Sequence, residues 1–218
     1  MDFIHDATRA LKNGEIVILH DGKGRENEAD MLLLAEKATP ALVRRMRKDA
    51  GGLICLAVEP KFSKKLGLKF ANEMLSHRKS GVACRMCKLK MPYGDHPAFS
   101  ISINHLSTFT GISDNDRAKT ISEFGKLVKR NGGAKEFQKN FRAVGHVFLL
   151  VGRGLKTRRG HTELSLELAR RAKTTGAIVL CEMLSDTGKA ASREEAEKYA
   201  AKNNLVFIDG RQLHGGFE

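Results

Sequence analysis

Apolar residues recur along this chain in short blocks bounded by turn chemistry, and the spacing within each block predicts its element. Phe3, Ile4, Ala7 and Leu11 share one face at helical spacing. Asp2 is placed to cap that helix and Gly14 to stop it. Short apolar or β-branched runs predict strands over 15–19, 29–35, 53–58, 147–151, 178–181 and 205–208. Residues 98–104 (AFSISIN) alternate, as a half-buried strand does. Thr39-Pro40 opens a helix that ends at Gly51-Gly52, and Pro60 opens a shorter one ending near Gly67. Ser113 and Asp116 form an acidic capping pair for a helix to about Arg130, with Asn131-Gly132-Gly133 as its breaker. Leu164, Leu168 and Ala172 mark one face of a helix that follows Arg158–Glu163, and Ser192 with Glu195 forms a capping box. Residues 71–96 are polar and irregular and are expected to form a long surface excursion. Strands and helices alternate with uneven connections, and no Pro/Gly/Ser-rich linker divides the chain. The expected fold is α+β (mixed α/β): a single catalytic domain over 1–218, with a mixed β-sheet flanked by helices.

Composition narrows the class. With 218 residues and 41% hydrophobic content the chain can bury one sizeable core. No apolar run approaches the ~20 residues of a membrane span, and the N-terminus lacks the basic start and apolar stretch of a signal peptide. Four cysteines (Cys55, Cys84, Cys87, Cys181) do not suggest a disulfide framework, so free thiols and a cytoplasmic location are expected. The formal net charge of +13 admits a nucleic-acid surface or anionic substrates. The basic residues are dispersed and only 6% of residues are aromatic, which disfavours a nucleic-acid binder with clustered Lys/Arg and stacking platforms.

Against that basic background, Asp21–Asp30 is anomalous. Asp21, Glu26, Glu28 and Asp30, with Arg25, crowd a Gly-containing loop between two apolar strands. At the start of a strand, Glu26, Glu28 and Asp30 would point to one side, where carboxylates repel unless a cation or shared protons offset them. Oxygen ligands suit Mg²⁺ or Mn²⁺; a polar turn between strands is the alternative when the segment is taken alone, against which stand the length of the loop and its junction with a strand. Arg158-Arg159-Gly160-His161-Thr162-Glu163 puts Gly and Thr at a helix start beside guanidinium groups, a combination that favours a phosphate, and His161 could add a nitrogen ligand. Gly145-His146, Cys181-Glu182 and the hydroxyl-rich run Ser107–Ser113 are weaker signals. The lone Cys84-Arg85-Met86-Cys87, with no second CxxC, reads as two ordinary thiols before it reads as zinc.

These segments together resemble the 3,4-dihydroxy-2-butanone 4-phosphate synthase family of riboflavin biosynthesis. The resemblance rests on Asp21-Gly22, Arg25–Met31, Gly52-Leu53-Ile54-Cys55, Thr110–Ser113 with Asp116-Arg117-Ala118, Gly145–Phe148, Arg158 with Gly160–Glu163, and Cys181-Glu182, in that order along nearly the whole chain. The chain length matches the single-function form, without the GTP cyclohydrolase domain fused to it in some bacteria. Ala29 stands where many members have Gly and Leu149 where many have Pro; neither change removes a functional group. Residues 71–96 match no family motif.

The resemblance implies a lyase that converts D-ribulose 5-phosphate to L-3,4-dihydroxy-2-butanone 4-phosphate and formate with Mg²⁺ (or Mn²⁺). It implies Glu26 and His161 as metal ligands. Arg25, Glu26, Asp30, Arg158, Arg159, Gly160, His161 and Thr162 become substrate contacts. His146 and Glu182 become the essential acid/base positions, with Asp21, Glu28, Cys55 and Thr110 as further active-site residues. It also implies a homodimer with its sites at the subunit interface, and neither a nucleic-acid nor a membrane partner.

Overall fold

The computed structural model describes residues 3–23, 25–77 and 81–213. The Asp2 cap lies outside these residues, as does Gly24 of the acidic loop. The chain begins with α1 (Phe3–Asn13), β1 (Val17–His20) and β2 (Ala29–Leu34). There follow α2 (Pro40–Arg45), β3 (Cys55–Val58), α3 (Pro60–Leu66), α4 (Ala71–Ser76), α5 (Val82–Met86) and β4 (Phe99–His105). The second half contains α6 (Asp114–Lys129), α7 (Ala134–Asn140), β5 (Phe141–Val151), α8 (His161–Arg171), β6 (Ala177–Glu182), α9 (Arg193–Lys202) and β7 (Val206–Asp209).

The strands form one mixed sheet in the order β4-β5-β3-β6-β2-β1-β7. β1–β7 and β3–β5 are parallel; the other pairs are antiparallel. Alternation in the apolar runs builds both faces. Ile16, Ile18, Met31 and Leu33 pack with Val43, Met46, Phe62, Ile121, Phe124 and Ala196 on one side. Val17, Leu19, Leu32 and Leu34 pack with Ala7, Leu11, Leu164 and Leu168 on the other. Burial on both faces explains why β2 reads as a continuous apolar run. Each such Leu or Met contributes about 1.5–3 kcal/mol.

Each expected strand is present, and so are the main caps. Thr39 Oγ1 accepts from the Leu42 N–H, Ser113 Oγ from the Asp116 N–H, and Ser192 and Glu195 form a reciprocal capping box. Three features differ from the sequence expectation. Residues 71–96 are not simply irregular, since α4 and α5 form there, held by few buried side chains. α7 is an additional helix, anchored by Phe137 against Phe124 and Phe141. β5 starts at Phe141 rather than 147, because its exposed first half pairs only with β4, and that pairing is irregular there.

The register sorts the two ends of the sheet. Asp21 follows β1, Asp30 opens β2 and Glu182 closes β6, with Asp30 directly opposite Glu182. The carboxylates of the sequence motifs therefore gather at one end of the central strands.

Gly125 lies where α6 crosses residues 35–36. A Cβ there would fall 2.6 Å from the Ala35 carbonyl carbon and 2.7 Å from the Glu36 Cα. Helix propensity alone predicts that Gly125→Ala stabilises by about 1 kcal/mol. Backbone overlap outweighs it, and overpacking costs about 1–3 kcal/mol. Gly125→Ala is expected to lower the urea midpoint of unfolding; a higher midpoint would mean that α6 and residues 35–36 have room to separate.

Candidate active site

The loop between β1 and β2 is shaped by one carboxylate. Asp21 accepts backbone N–H groups from Glu26 and Glu28, each at 3.1 Å, and its own N–H donates to the Glu28 carbonyl at 3.2 Å. Asn27 takes a left-handed conformation (φ 57°), which turns the chain between the two bonded residues. The loop thus presents Glu26 toward the start of α8.

His161 is the first residue of α8 and is buried. Its Nδ1 lies 3.6 Å from Glu26 Oε2 and 4.0 Å from Asp21 Oδ2. Its Nε2 lies 3.1 Å from the Glu28 carbonyl and 3.6 Å from Asp30 Oδ1. Burial alone would lower the His161 pKa; Asp30, Glu26 and Asp21 outweigh it and raise it to about 10. The hydrogen bond with His161 lowers Glu26 to about 2, against the cost of its own burial. Burial pushes Asp30 up to about 8, helped by Glu182 and Glu26 and opposed by His161. Burial also raises Glu28, with Glu26 adding to the effect.

Guanidinium groups flank this cluster. Gly160 caps α8 without a side chain, and the space is taken by arginines: a Cβ there would meet Arg158 Cζ and Arg25 Nη2, each at 2.8 Å. Arg158 is buried and donates to Glu163 Oε2 at 2.8 Å and Asp95 Oδ2 at 2.9 Å, with Glu26 Oε1 3.6 Å away. Arg25 pairs with Glu26 at 3.2 Å and lies over the Tyr93 ring. Arg159 is exposed and makes none of these contacts.

A cavity of about 250 Å³ joins the parts, lined by Glu26, Glu28, Asp30, Arg158, His161, Thr162 and Glu182. Glu182 accepts the Leu53 N–H at 2.8 Å, and the Gly52 N–H donates to its backbone carbonyl. Cys55 is buried nearby; burial, with the Glu182 and Asp30 charges, raises its pKa well above the usual thiol value and keeps it neutral. His146 and Thr110 form a separate group outside the cavity lining. Asn104 binds the His146 N–H at 2.8 Å, approaches its ring and donates to the Thr110 carbonyl at 3.2 Å. Sequence reading missed Met91, Tyr93 and Pro97 in the lining, and Asp95 on the arginines. They lie in or beside the stretch with no recognisable motif, so their proximity depends on the fold alone.

A larger cavity, about 1000 Å³, lies at the opposite end of the strands among Lys12, Lys37, Lys61, Lys64 and Lys173. It contains no histidine, and its Glu36 is tied to Lys129 and Thr175. Size does not compensate for the absence of convergent acid and base groups, so the smaller cavity is the candidate site.

A profile of the 3,4-dihydroxy-2-butanone 4-phosphate synthase family matches residues 5–215. This chain belongs to that synthase family. The enzyme of that name from Methanothermobacter thermautotrophicus is 43% identical over 215 residues, covering 96% of this chain and 93% of that protein. A riboflavin biosynthesis protein of Bacillus subtilis is 33% identical over 212 residues, and the chain covers 48% of its length. Among solved structures, a 3,4-dihydroxy-2-butanone 4-phosphate synthase in complex with two magnesium ions superposes with a TM-score of 0.75 at 30% identity, covering 98% of this chain and 95% of that one. Membership of the synthase family places the chain in riboflavin biosynthesis. Among the described residues, no helix is long and apolar enough to cross a membrane.

The residues present fit a divalent cation. One ligand atom each from Asp21, Glu26 and His161 lie within 4.8 Å of one another. Asp30 Oδ1 is buried without a hydrogen-bond partner. An oxygen-rich set with one imidazole suits Mg²⁺ or Mn²⁺. A cation that takes His161 as a ligand displaces its proton, which the surrounding carboxylates hold up to pH about 10. Affinity is therefore expected to rise with pH below that value, and Mn²⁺ binding at pH 8 to release at least one proton, from His161 and in part from Asp30, which is pushed up to about 8. Calorimetry in buffers of different ionisation enthalpy measures this; heats independent of the buffer would contradict a protonated His161.

Proposed function

We propose that the chain converts D-ribulose 5-phosphate to L-3,4-dihydroxy-2-butanone 4-phosphate and formate, as a lyase whose residues 1–218 act as one catalytic domain. One observation carries the reading: a carboxylate–imidazole cluster suited to a divalent cation and a guanidinium-flanked helix start suited to a phosphate open into the same cavity. A sugar phosphate is the substrate class that needs both.

In this reading Glu26 and His161 hold Mg²⁺ or Mn²⁺, with Asp21 beside them. The cation supplies Lewis acidity, worth several kcal/mol wherever negative charge develops on a substrate oxygen. Arg25, Arg158, Gly160 and Thr162 bind the substrate, with its phosphate toward the free N–H groups of α8; Arg159, which is exposed and does not line the cavity, contributes charge only. The reaction removes a proton to give an enediol, loses water, rearranges the carbon skeleton and, with uptake of one water, releases one carbon as formate. Substrate and products balance with no external oxidant and no net water. Several proton transfers require groups with separated pKa values. Asp30, pushed up to about 8, holds a proton where Glu26 does not, and burial shifts Glu28 in the same upward direction. Glu182 faces the cavity as the acid/base group, and the neutral Cys55 thiol helps to position substrate.

His146 and Thr110 require a second subunit in this reading. Around them Leu106, Phe109, Ile112 and Val144 are exposed, Phe109 to 92% and Val144 to 86%. An apolar patch of this kind is suited to an interface. A cytoplasmic homodimer that buries it would deliver His146 to the cavity of the other protomer.

Three outcomes test this. Purified protein with ribulose 5-phosphate and Mg²⁺ is expected to release formate, and EDTA to stop it; formate production indifferent to EDTA removes the cation from the reading. Glu26→Gln is expected to lower turnover at least ~100-fold through the lost ligand, and Cys55→Ser only about two- to tenfold through positioning. Mixing and re-equilibrating inactive His146→Ala and inactive Glu26→Gln proteins is expected to restore about a quarter of wild-type activity, as shared sites in a two-fold dimer require. No recovery in proteins shown to exchange subunits would place His146 in the cavity of its own chain.

A further inference from the structure

The segment from Met91 to Ala98 forms the end of the motif-free excursion and has no part in the reaction described above, yet it closes one side of the cavity. Its centre is a carboxylate among cations. Asp95 Oδ2 accepts from Arg158 Nε at 2.9 Å and lies 3.8 Å from Arg25 Nη1; Asp95 Oδ1 lies 3.4 Å from Arg153 Nη1. Two further contacts hold the segment: Arg153 Nη1 donates to the His96 carbonyl at 3.2 Å, and Tyr93 lies under the Arg25 guanidinium, 4.9 Å from ring centroid to Cζ. Both Arg25 and Arg158 lie over Gly160, at the start of α8.

Arg158 also serves Glu163 and Glu26, and Arg25 also pairs with Glu26, so Asp95 is one carboxylate among several on these donors and offers them only two oxygens. A phosphate monoester carries about −1.5 to −2 charge and three acceptor oxygens, and it suits the same donors better. Asp95 is 33% exposed and belongs to a segment of little regular structure, whereas Arg158 is 5% exposed and fixed by Glu163. When an anion competes for these donors, Asp95 is the partner that can yield.

We propose that Asp95 is a resident stand-in for the substrate phosphate, and that the incoming phosphate displaces it and so unlatches the segment 91–98 from the cavity. The device makes access depend on a dianion: a sugar without its phosphate lacks the charge to displace Asp95. This rests on the reading that Arg25, Arg158 and the start of α8 receive the phosphate.

The test uses inorganic phosphate as the probe, so it does not depend on turnover. Asp95→Asn removes the competing charge and keeps the side-chain shape. It is expected to bind phosphate about tenfold more tightly than the wild type by calorimetry, equivalent to about 1.4 kcal/mol. The chain has no Trp and two Tyr, so Tyr199→Phe leaves Tyr93 as its one phenol. In that background phosphate is expected to change the tyrosine emission with the same saturation as the heats. Adding Asp95→Asn should abolish most of the change, because the segment is already released. Arg25→Gln separates the two ways of failing. If Asp95→Asn binds phosphate no more tightly than the wild type while Arg25→Gln weakens binding, the phosphate site stands and the stand-in role is overturned. If no protein binds phosphate, or Arg25→Gln leaves binding unchanged, the phosphate site itself is misplaced and this proposal falls with it.

Discussion

A buried imidazole surrounded by carboxylates is the constraint on which this site depends. Asp21, Glu26 and Asp30 all approach His161 within 4.0 Å, in a region largely closed to water. Carboxylates brought this close repel one another and lose hydration, so the fold tolerates them only with positive charge among them. The imidazolium supplies that charge here, and a divalent cation would supply it more completely. The start of α8 contributes in the same direction through its free N–H groups. The loop geometry follows from this need. Asp21 could have pointed into the cavity as a further acid; instead it uses both oxygens to hold the Glu26 and Glu28 N–H groups, which fixes where Glu26 sits relative to His161. Arg158 then extends the alternation of charge outward, between Glu163, Asp95 and Glu26.

What could be read in the sequence was what short-range physics determines. Alternation and apolar runs locate the strands, because β2, β3 and β6 are covered on both faces. Caps at Thr39, Ser113 and Ser192 were visible because a hydroxyl and the backbone it caps are only three residues apart. The acidic loop stood out by charge density, and the α8 segment by its Gly-His-Thr helix start. What could not be read required the fold. Asp116 looks like half of a capping pair, but its carboxylate binds the Gly111 N–H and so fixes the loop near Thr110. α7 has a weak apolar signal and depends on one aromatic, Phe137, meeting two others from distant positions. The first half of β5 lacks alternation because it faces solvent and a patch of exposed apolar residues, not the core. Asp95 reaches Arg158 across 63 positions of sequence, and no local pattern announces such a pairing.

The distribution of charge resolves the ambiguity of a net +13. Register gathers Asp21, Asp30 and Glu182 at one end of the central strands, while lysines line the groove at the other. A basic protein need not have a basic active site. The lysines of that groove lie away from the acids, where they raise the local concentration of anions without competing for the cation cluster. At the site itself the cations are arginines fixed by hydrogen bonds, not mobile lysines. That choice follows from geometry: a planar guanidinium can serve a carboxylate on one edge and present another edge to a ligand, as Arg158 does between Glu163 and Asp95. Lysines in the distal groove make few such commitments; Lys129 is bound by Glu36 and Lys65 by Asn131, and the groove stays wide. The two cavities therefore differ in kind. One gathers lysines along an open groove. The other holds charges that the fold has already taken out of water, and so can bind an ion or a phosphate without first paying to order its own groups.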